Sequence, residues 1–421
     1  MLKLAVNIIQ KATLLITFSV AYLFTEAQSP TNTQFLENFL KQHPKEFGDI
    51  VAHPDEYRVQ IYYTQIDRDV NNTPHFKDFS YRLNNNEYFY PASTVKMPLA
   101  FLALEKINNL KIPGLTKSTG MYYDSVGARQ ETIYNNPYAE NGIQSIEQAI
   151  KEIFLVSDNN AANRLFEFMG QEEIHQKLAD KGYTDAYIRN RLELGRTQEE
   201  SRQTQAINFY NDAGKLIYHQ DEQYNKQALP NYNAFLGKGY MNGQDSLINK
   251  PLDFSTKNRI YLNDLHHILQ SVIFYDYTNP KKRFNLTKED RQFLLKWMHT
   301  LPTESTYPTY DSADYWPAYC KFMFMGSEKG QSLPPNIKIF NKVGDAYGFL
   351  LDISYIIDTV NQVEFMVSAV IYCNSDGIIN DSKYDYDKVG YPFYKNLGRL
   401  LYDYELKRKK NYMPDFRNIL K

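Results

Sequence analysis

The stretch PASTVKMPLA, Pro91–Ala100, places a serine three residues before a lysine at the start of an apolar run. A helix turns once every 3.6 residues, so Ser93 and Lys96 share one face of the helix, a turn apart. A serine hydroxyl attacks well only when a neighbouring base takes its proton, and a neutral lysine amine is such a base. An isolated pair of this kind is more often a helix cap followed by a solvated lysine, so the rest of the chain must decide.

Length and composition set broad limits on function. The 421 residues suffice for two or three domains or for one large enzyme with two lobes. A net charge of −2 gives no electrostatic basis for a nucleic-acid partner. The eight histidines form no H-E-x-x-H pattern and the two cysteines belong to no metal pattern, so we predict no metal or other cofactor. Whether Cys320 and Cys373 pair is left open by the sequence.

The first residues predict an export signal. Lys3 and Lys11 precede the uncharged run ATLLITFSVAYLFT, and small residues favour cleavage after Ala27. The run is shorter than the roughly 20 residues of a membrane-spanning helix, so no stable membrane insertion is expected, with an uncleaved anchor as the alternative. We therefore expect residues 1–27 to be a signal peptide and residues 28–421 to work in the periplasm or as a secreted protein.

Strand patterns lie at both ends of the chain, and helical patterns fill its middle. Alternating apolar residues predict strands at residues 57–67, 336–344, 348–358 and 363–374, the last three as an antiparallel meander, with a further strand ending in NNNEYFYP, residues 84–91. Helical spacing recurs in SIEQAIKEIFLVS, NNAANRLFEFMG, LNDLHHILQSVIF and TKEDRQFLLKWM. The last of these opens with a capping box, Thr287 and Asp290.

We predict an α+β fold: an antiparallel sheet with flanking helices, from about residues 28–92 and 335–421, and an inserted all-helical lobe, about 93–334. The cleft between the lobes is the natural place for a site.

Two further motifs change the interpretation of Ser93. An S-D-N triplet, residues 157–159, lies between two helical stretches, and K-V-G, residues 342–344, ends a predicted strand. Each triplet alone is common, but S-x-x-K, S-D-N and K-x-G in this order are the set found in serine β-lactamases and penicillin-binding proteins. The sequence resembles the class A β-lactamase-like serine hydrolases over nearly the whole mature chain. Insertions are expected at about residues 218–256 and before the Lys342 strand.

The resemblance implies a role for each motif residue. The implied catalytic residues are Ser93, Lys96, Ser157 and Glu193, and the implied substrate-binding residues are Asn159, Lys342, Gly344 and Asp345. Ser93 would form the acyl-enzyme, Lys96 would accept or orient its proton, and Ser157 would pass a proton to the leaving nitrogen. The main-chain N–H groups of Ser93 and Asp345 would hold the oxyanion. Because like charges disfavour ionisation, Lys342 should lower the pKa of Lys96.

A glutamate after S-D-N would activate the water that releases the acyl group. Glu193, in the R-L-E triplet 191–193, resembles the family's glutamate in type and position. Glu199 and Glu200 are rival candidates, and an ordinary solvated glutamate is the alternative. Arg191 is expected to hold the loop, although the sequence shows no acidic partner for it.

One departure from the family's K-T-G pattern affects the expected substrate. Val343 replaces the hydroxyl residue of K-T-G, residues 348–358 contain no arginine, and Asp345 is acidic, so carboxylate-bearing substrates are disfavoured while acyl chemistry is retained. We predict an exported serine hydrolase of class A β-lactamase type that opens β-lactam amides through a Ser93 acyl-enzyme, with a small β-lactam or peptide-like molecule as its partner. The alternatives are a hydrolase of another amide or ester and a sensor-type protein that acylates without turnover. The sequence leaves the oligomeric state open.

Overall fold

The computed structural model describes residues 33–125, 132–133 and 135–420. The predicted export signal, residues 1–27, lies outside these residues and stays a prediction. The α-helices are α1 (Thr33–Lys41), α2 (Pro44–Ala52), α3 (Lys96–Leu110), α4 (Ile146–Val156), α5 (Asn159–Met169), α6 (Gln171–Asp180), α7 (Gln198–Arg202), α8 (Leu262–Ile273), α9 (Lys288–His299) and α10 (Tyr391–Lys407). The strands are β1 (Gln60–Arg68), β2 (Pro74–Tyr81), β3 (Gly120–Tyr123), β4 (Ile207–Tyr210), β5 (Leu216–Gln220), β6 (Phe235–Leu236), β7 (Gly239–Met241), β8 (Leu247–Ile248), β9 (Leu252–Asp253), β10 (Ile337–Ala346), β11 (Phe349–Asp358), β12 (Val363–Tyr372) and β13 (Ile378–Ile379).

The main sheet joins strands from both parts of the chain. Its antiparallel order is β10-β11-β12-β1-β2, with Gln60 of β1 paired to Val370 of β12. Side chains alternate between faces along a strand, so Ile61 and Tyr63 pack with α1, α2 and α10, whereas Tyr62 packs toward the helical lobe. The predicted α+β fold and the β10–β12 meander are confirmed.

The helical lobe is built around α3, which lies against α4, α5 and α8. The four helices predicted in the middle of the chain are confirmed as α4, α5, α8 and α9. Thr287 caps α9 by accepting a hydrogen bond from the Asp290 N–H at 3.0 Å, and the Asp290 carboxylate accepts one from the Thr287 N–H at 3.1 Å. The predicted capping box is therefore present.

The inserted lobe also contains strands, which the expectation of an all-helical lobe did not include. β3, β4 and β5 form one small sheet, β6 pairs with β9, and β7 pairs with both β8 and β13. Asparagine, glycine and proline interrupt the 218–256 insertion every few residues, so it forms short strands and turns instead of helices.

The second predicted strand is present as β2, but its predicted end in NNNEYFYP was wrong, because β2 ends at Tyr81 and residues 84–91 form turns and irregular backbone. The Asn84 side chain accepts a hydrogen bond from the Asn86 N–H at 3.0 Å, the local turn contact that asparagine favours over a strand.

The state of the two cysteines, which the sequence left open, can be given for the described residues. Cys320 and Cys373 are both buried and unpaired, and burial raises the pKa of Cys320 to about 11. No helix of the described chain combines the length and the apolar character that crossing a bilayer requires. The same residues contain no group of three or more side chains suited to holding a metal ion.

Candidate active site

The proposed nucleophile lies in a tight turn that leads into α3. Ser93 belongs to a 3₁₀ helix, Ala92–Val95, and α3 begins at Lys96. Residues three apart eclipse one another in a 3₁₀ helix, which places the side chains of Ser93 and Lys96 on the same side. Ala92 has a φ of 47°, a left-handed backbone conformation that is costly for alanine and is typical of functional turns.

Lys96 is fully buried and its ammonium group points at the S-D-N triplet. Its Nζ donates hydrogen bonds to the Ser157 carbonyl oxygen, to Ser157 Oγ at 3.3 Å and to Asn159 Oδ1 at 2.6 Å. Burial, followed by the positive charge of Lys342, lowers the pKa of Lys96 well below its usual range. Lys96 therefore gives up its proton more easily than an ordinary lysine, as a general base at this position requires.

The S-D-N triplet joins α4 to α5. Ser157 ends α4 in a left-handed conformation, with a φ of 60°, and its N–H bonds the Glu152 carbonyl. Asp158 caps α5 by accepting a hydrogen bond from the Ala161 N–H at 2.7 Å. Asn159 is the first residue of α5. Asp158 therefore has a structural role, while its two neighbours face Lys96.

Lys342 approaches the same serine from β10. Its Nζ donates a hydrogen bond to Ser157 Oγ at 2.7 Å and another to the Val343 carbonyl at 2.8 Å. Burial lowers the pKa of Lys342 to about 8. Because Ser157 Oγ accepts from both lysines, its own hydrogen remains available for donation. This arrangement suits a proton relay.

Gly344 allows β10 to lie directly against the nucleophile turn. A Cβ atom at this position would lie 2.9 Å from the Ser93 nitrogen, 3.0 Å from the Thr94 nitrogen and 3.1 Å from the Pro91 oxygen. Any residue with a Cβ atom at position 344 would push β10 away from the turn that carries Ser93. The contact brings the Ser93 N–H beside the strand that carries Asp345, as the predicted oxyanion site requires.

Val343 and Asp345 face the other side of β10 from Lys342. Val343 is 2% exposed and belongs to the apolar core that includes Phe322 and Met323. Asp345, two residues further along, is exposed at the edge of the sheet. Of the two residues on which the predicted substrate preference rests, Val343 is therefore covered and Asp345 is exposed.

The loop that carries Glu193 is fastened to α5. The Asn163 amide donates to the Leu192 carbonyl at 3.0 Å and accepts from the Leu192 N–H at 2.8 Å. Arg191 forms a buried ion pair with Glu167, which is the acidic partner that the sequence did not reveal. Glu193 follows with a φ of 61° and an exposed side chain.

Asn163 and Glu167 are site-supporting residues that the sequence analysis missed. With Asn159 they occur at every fourth position of α5, so the three side chains follow one face of the helix. Both missed residues are 4% exposed although they are polar. Polar residues at this spacing on an otherwise apolar helix were the signal that could have identified them.

The rival glutamates are engaged elsewhere. Glu200 forms a capping box with Thr197 at the start of α7, and Glu199 accepts a hydrogen bond from Tyr224. Glu193, by contrast, has no hydrogen bond or ion pair with any residue of the described ranges. Burial, followed by the negative charge of Glu193, raises the pKa of Tyr347 at the β10–β11 turn.

An aromatic cluster joins the nucleophile turn to the first insertion. The Tyr347 ring lies 5.0 Å from the Tyr90 ring and 5.1 Å from the Phe254 ring, measured between centroids. Tyr90 lies just before the nucleophile turn, and Phe254 comes from the 218–256 insertion. The insertion therefore packs against the segment that leads to Ser93.

The second insertion supports β10 from behind. Lys321 is buried, and its Nζ donates to the Met298 carbonyl at 2.9 Å, the Ile339 carbonyl at 3.1 Å and Asn341 Oδ1 at 2.7 Å. Burial lowers the pKa of Lys321 to about 8. This contact holds the strand segment that precedes Lys342.

Comparison with known proteins places the chain in a family. Residues 45–286 match the family described as the beta-lactamase enzyme family, a range that contains the S-x-x-K and S-D-N motifs and Glu193 but not the K-V-G strand. Among curated proteins none matches.

Solved structures with a similar fold come from several organisms. A β-lactamase from Xanthomonas campestris pv. campestris is 14% identical, with 87% of this chain and 97% of that chain covered and a TM-score of 0.47. One from Desulfarculus baarsii is 12% identical, with 86% and 98% covered and a TM-score of 0.47. A class A β-lactamase from Clostridium kluyveri is 15% identical, with 86% and 99% covered and a TM-score of 0.44. Since the family match spans more than half of its length, the chain belongs to the β-lactamase enzyme family and is a β-lactamase-like serine hydrolase.

Proposed function

We propose that this protein opens the amide bond of a β-lactam or related acyl donor through a covalent acyl-enzyme on Ser93. The observation that supports the proposal best is the shared contact of Lys96 and Lys342 with Ser157 Oγ, next to the turn that carries Ser93. A buried neutral amine, a hydroxyl relay and a main-chain oxyanion site are the groups that acyl transfer needs.

Acylation uses the two lysines and two serines. Neutral Lys96 takes the Ser93 hydroxyl proton as Oγ bonds to the carbonyl carbon, and the N–H groups of Ser93 and Asp345 hold the oxyanion. The C–N bond then breaks and the nitrogen takes a proton from Ser157, which regains one from the lysine side. The Ser157–Lys342 contact keeps the relay hydroxyl in place.

Release of the acyl group uses Glu193. Its carboxylate takes a proton from a water molecule as the water oxygen attacks the Ser93 ester, and the proton then passes to the departing Oγ. The lack of a hydrogen bond or ion pair to Glu193 among the described residues supports this role, because both carboxylate oxygens stay available for water. We also propose that the mature enzyme is exported, which rests on the sequence of residues 1–27 alone.

The test is intact-protein mass spectrometry with a panel of β-lactams. We expect an adduct that forms on the wild-type protein and then decays as the product is released. Ser93→Ala should remove the adduct completely while circular dichroism shows an unchanged fold. An adduct that persists on Ser93→Ala would assign the nucleophile to another residue, and an adduct that never decays would favour the sensor-type alternative.

A further inference from the structure

A cavity of about 300 Å³ lies beside the segment that carries Glu193, residues 190–201. Its lining includes the side chains of Arg189 and Arg202. These two arginines flank the Glu193 segment in the sequence, so both ends of the segment meet at one cavity. The volume is at the lower end of the range for small-molecule sites.

Arg189 brings to this cavity a buried positive charge that has no carboxylate partner. Three arginines are buried in the described part of the chain, and two of them pair with buried glutamates: Arg68 with Glu364 at 2.6 Å, and Arg191 with Glu167. Arg189 is only 3% exposed, yet it forms no ion pair with any described residue. Because a buried charge is costly without an opposite charge, a bound anion would supply what Arg189 lacks.

The contacts that Arg189 does make leave several of its five N–H donors unused. Its guanidinium carbon lies 5.2 Å from the centre of the Tyr187 ring and 4.6 Å from that of Tyr232, and Nη2 donates a hydrogen bond to the Pro230 carbonyl. Its Nε is buried and has no hydrogen-bond acceptor among the residues described. Two ring faces and one carbonyl orient the guanidinium, but none of them carries a full negative charge.

Arg202 brings a second guanidinium group to the same cavity. Its Nε donates to the Asn225 carbonyl at 2.7 Å and its Nη2 to the Gln227 carbonyl at 3.1 Å. Its Nη1 lies 3.7 Å from the carboxylate of Glu199, which is the single acidic residue of the lining and has a side chain that is 69% exposed. An ion pair with so exposed a carboxylate is weak, so the lining as a whole has an excess of positive charge.

We propose that this cavity is a binding site for a small oxyanion, a phosphate or carboxylate group held between Arg189 and Arg202. Guanidinium groups bind the paired oxygens of such groups through parallel N–H donors. The bound anion would link the two ends of the Glu193 segment, in addition to the hydrogen bond that Arg191 already donates to the Gln203 carbonyl at 2.6 Å. Binding at this site does not require acylation of Ser93.

The test is calorimetric titration with inorganic phosphate and with acetate, at an ionic strength held constant with sodium chloride. The wild-type protein should bind at least one of the two probes, and the preferred probe assigns the group as phosphate or carboxylate. Arg202→Gln should weaken binding about tenfold to a hundredfold, the effect of one charged hydrogen bond. This variant carries the test because Arg202 is partly exposed, so its loss disturbs the fold less than loss of the buried Arg189.

Arg283→Gln is the matched control for Arg202→Gln. Arg283 also donates hydrogen bonds to two main-chain carbonyls and lies 5.3 Å from the centre of a tyrosine ring, as Arg202 does, but it is outside the cavity. Its variant should bind the probe with the affinity of the wild type.

Hydrogen exchange of residues 190–201 gives a second measurement. The bound probe should slow amide exchange in this segment of the wild-type protein, and should not do so in Arg202→Gln at the same concentration. Absence of saturable binding of both probes, or equal affinity in the wild type and Arg202→Gln, would overturn the inference. Unchanged exchange on binding would overturn the link between the two ends of the segment. None of these results depends on a Ser93 adduct, so the proposed function would stand in each case.

Discussion

At the scale of single residues, the site depends on lysines that are kept out of water. The sequence predicted the residues of the S-x-x-K, S-D-N and K-x-G motifs, because their order along the chain is specific even though each motif is common. It also predicted that Lys342 would lower the pKa of Lys96, and the structure adds that burial is the larger cause. The burial of these lysines depends on packing by segments that are distant in sequence, and no local sequence pattern reveals such packing.

The lowered lysine pKa values predict a bell-shaped pH profile for acylation. The rate should rise as Lys96 loses its proton, at a pH well below the usual range for lysine, and should fall above about pH 8 as Lys342 loses the charge with which it holds Ser157. Pre-steady-state acylation rates across the pH range measure this. Lys342→Arg keeps its charge to much higher pH, so it should move only the alkaline limb. An alkaline limb that stays in place would show that another group titrates there.

Glu193 is predicted to act in release of the acyl group and not in its formation. Glu193→Gln keeps the size of the side chain but removes the base, so deacylation should slow by about 10² to 10⁴ while acylation is little changed. The trapped acyl-enzyme is measured by intact mass, with an early burst before a slow steady state.

Glu199→Gln and Glu200→Gln are the matched controls for Glu193, since both residues already have partners around α7. Each control should turn over like the wild type. A stall in either control with normal turnover in Glu193→Gln would place the water-activating group on α7. Normal turnover in all three variants would assign deacylation to another base, such as Lys96.

At the scale of elements, the helices were predictable and the contacts between elements were not. Helical spacing located α4, α5, α8 and α9 because each has one continuous apolar face. The attachment of the 191–193 segment to α5 involves Asn163 and Glu167, which are far from the loop in sequence. The end predicted for the second strand, in residues 84–91, was wrong for a local reason, since the Asn84 side chain there accepts a hydrogen bond from the nearby backbone.

The contact between β10 and the nucleophile turn gives a prediction at this scale. Gly344→Ala should reduce the acylation rate by at least about tenfold, because a Cβ 2.9 Å from the Ser93 nitrogen must displace the strand or the turn. Gly243→Ala is the matched control, since its Cβ would meet no atom within 4 Å. Acylation rates and thermal unfolding of both variants provide the measurement. Normal acylation by Gly344→Ala would show that the turn relaxes without harm.

At the scale of the whole molecule, the sequence predicted the class of fold but simplified the inserted lobe. Strand patterns at both ends and helical patterns between them were sufficient to predict one sheet shared by two distant segments. The short strands β6 to β9 are two or three residues long, too short to leave a periodic pattern. The division into an α/β lobe and a helical lobe at the predicted boundaries stays a prediction.

Buried lysines also predict how stability depends on pH. Lys321 and Lys342 have folded-state pKa values of about 8 against 10.5 for an ordinary lysine, so between these values the unfolded chain binds more protons than the folded one. The free energy of unfolding should therefore rise with pH from about 8 to about 9, by up to about 1.4 kcal/mol per pH unit for each lysine. Above this range, buried tyrosines with raised pKa values act in the opposite direction.

Denaturant unfolding at several pH values measures this slope. Lys321→Met should reduce the slope, since it removes one of the titrating groups, even if the variant is less stable at every pH. A free energy of unfolding that is flat or falls over this range in the wild type would contradict the assignment of buried, weakly basic lysines.

The pairing of Gln60 with Val370 has a consequence for how the chain matures. While the protein is being synthesised, the hairpin of β1 and β2 emerges long before β12, the strand that pairs with β1 on its other side. The helices between the two halves of the sheet contact near neighbours in the chain, as α4 contacts α5, so we expect them to condense first. Until β12 is made, the hairpin has an unpaired strand edge at β1. Chaperones shield edges of this kind, and an unshielded edge promotes aggregation.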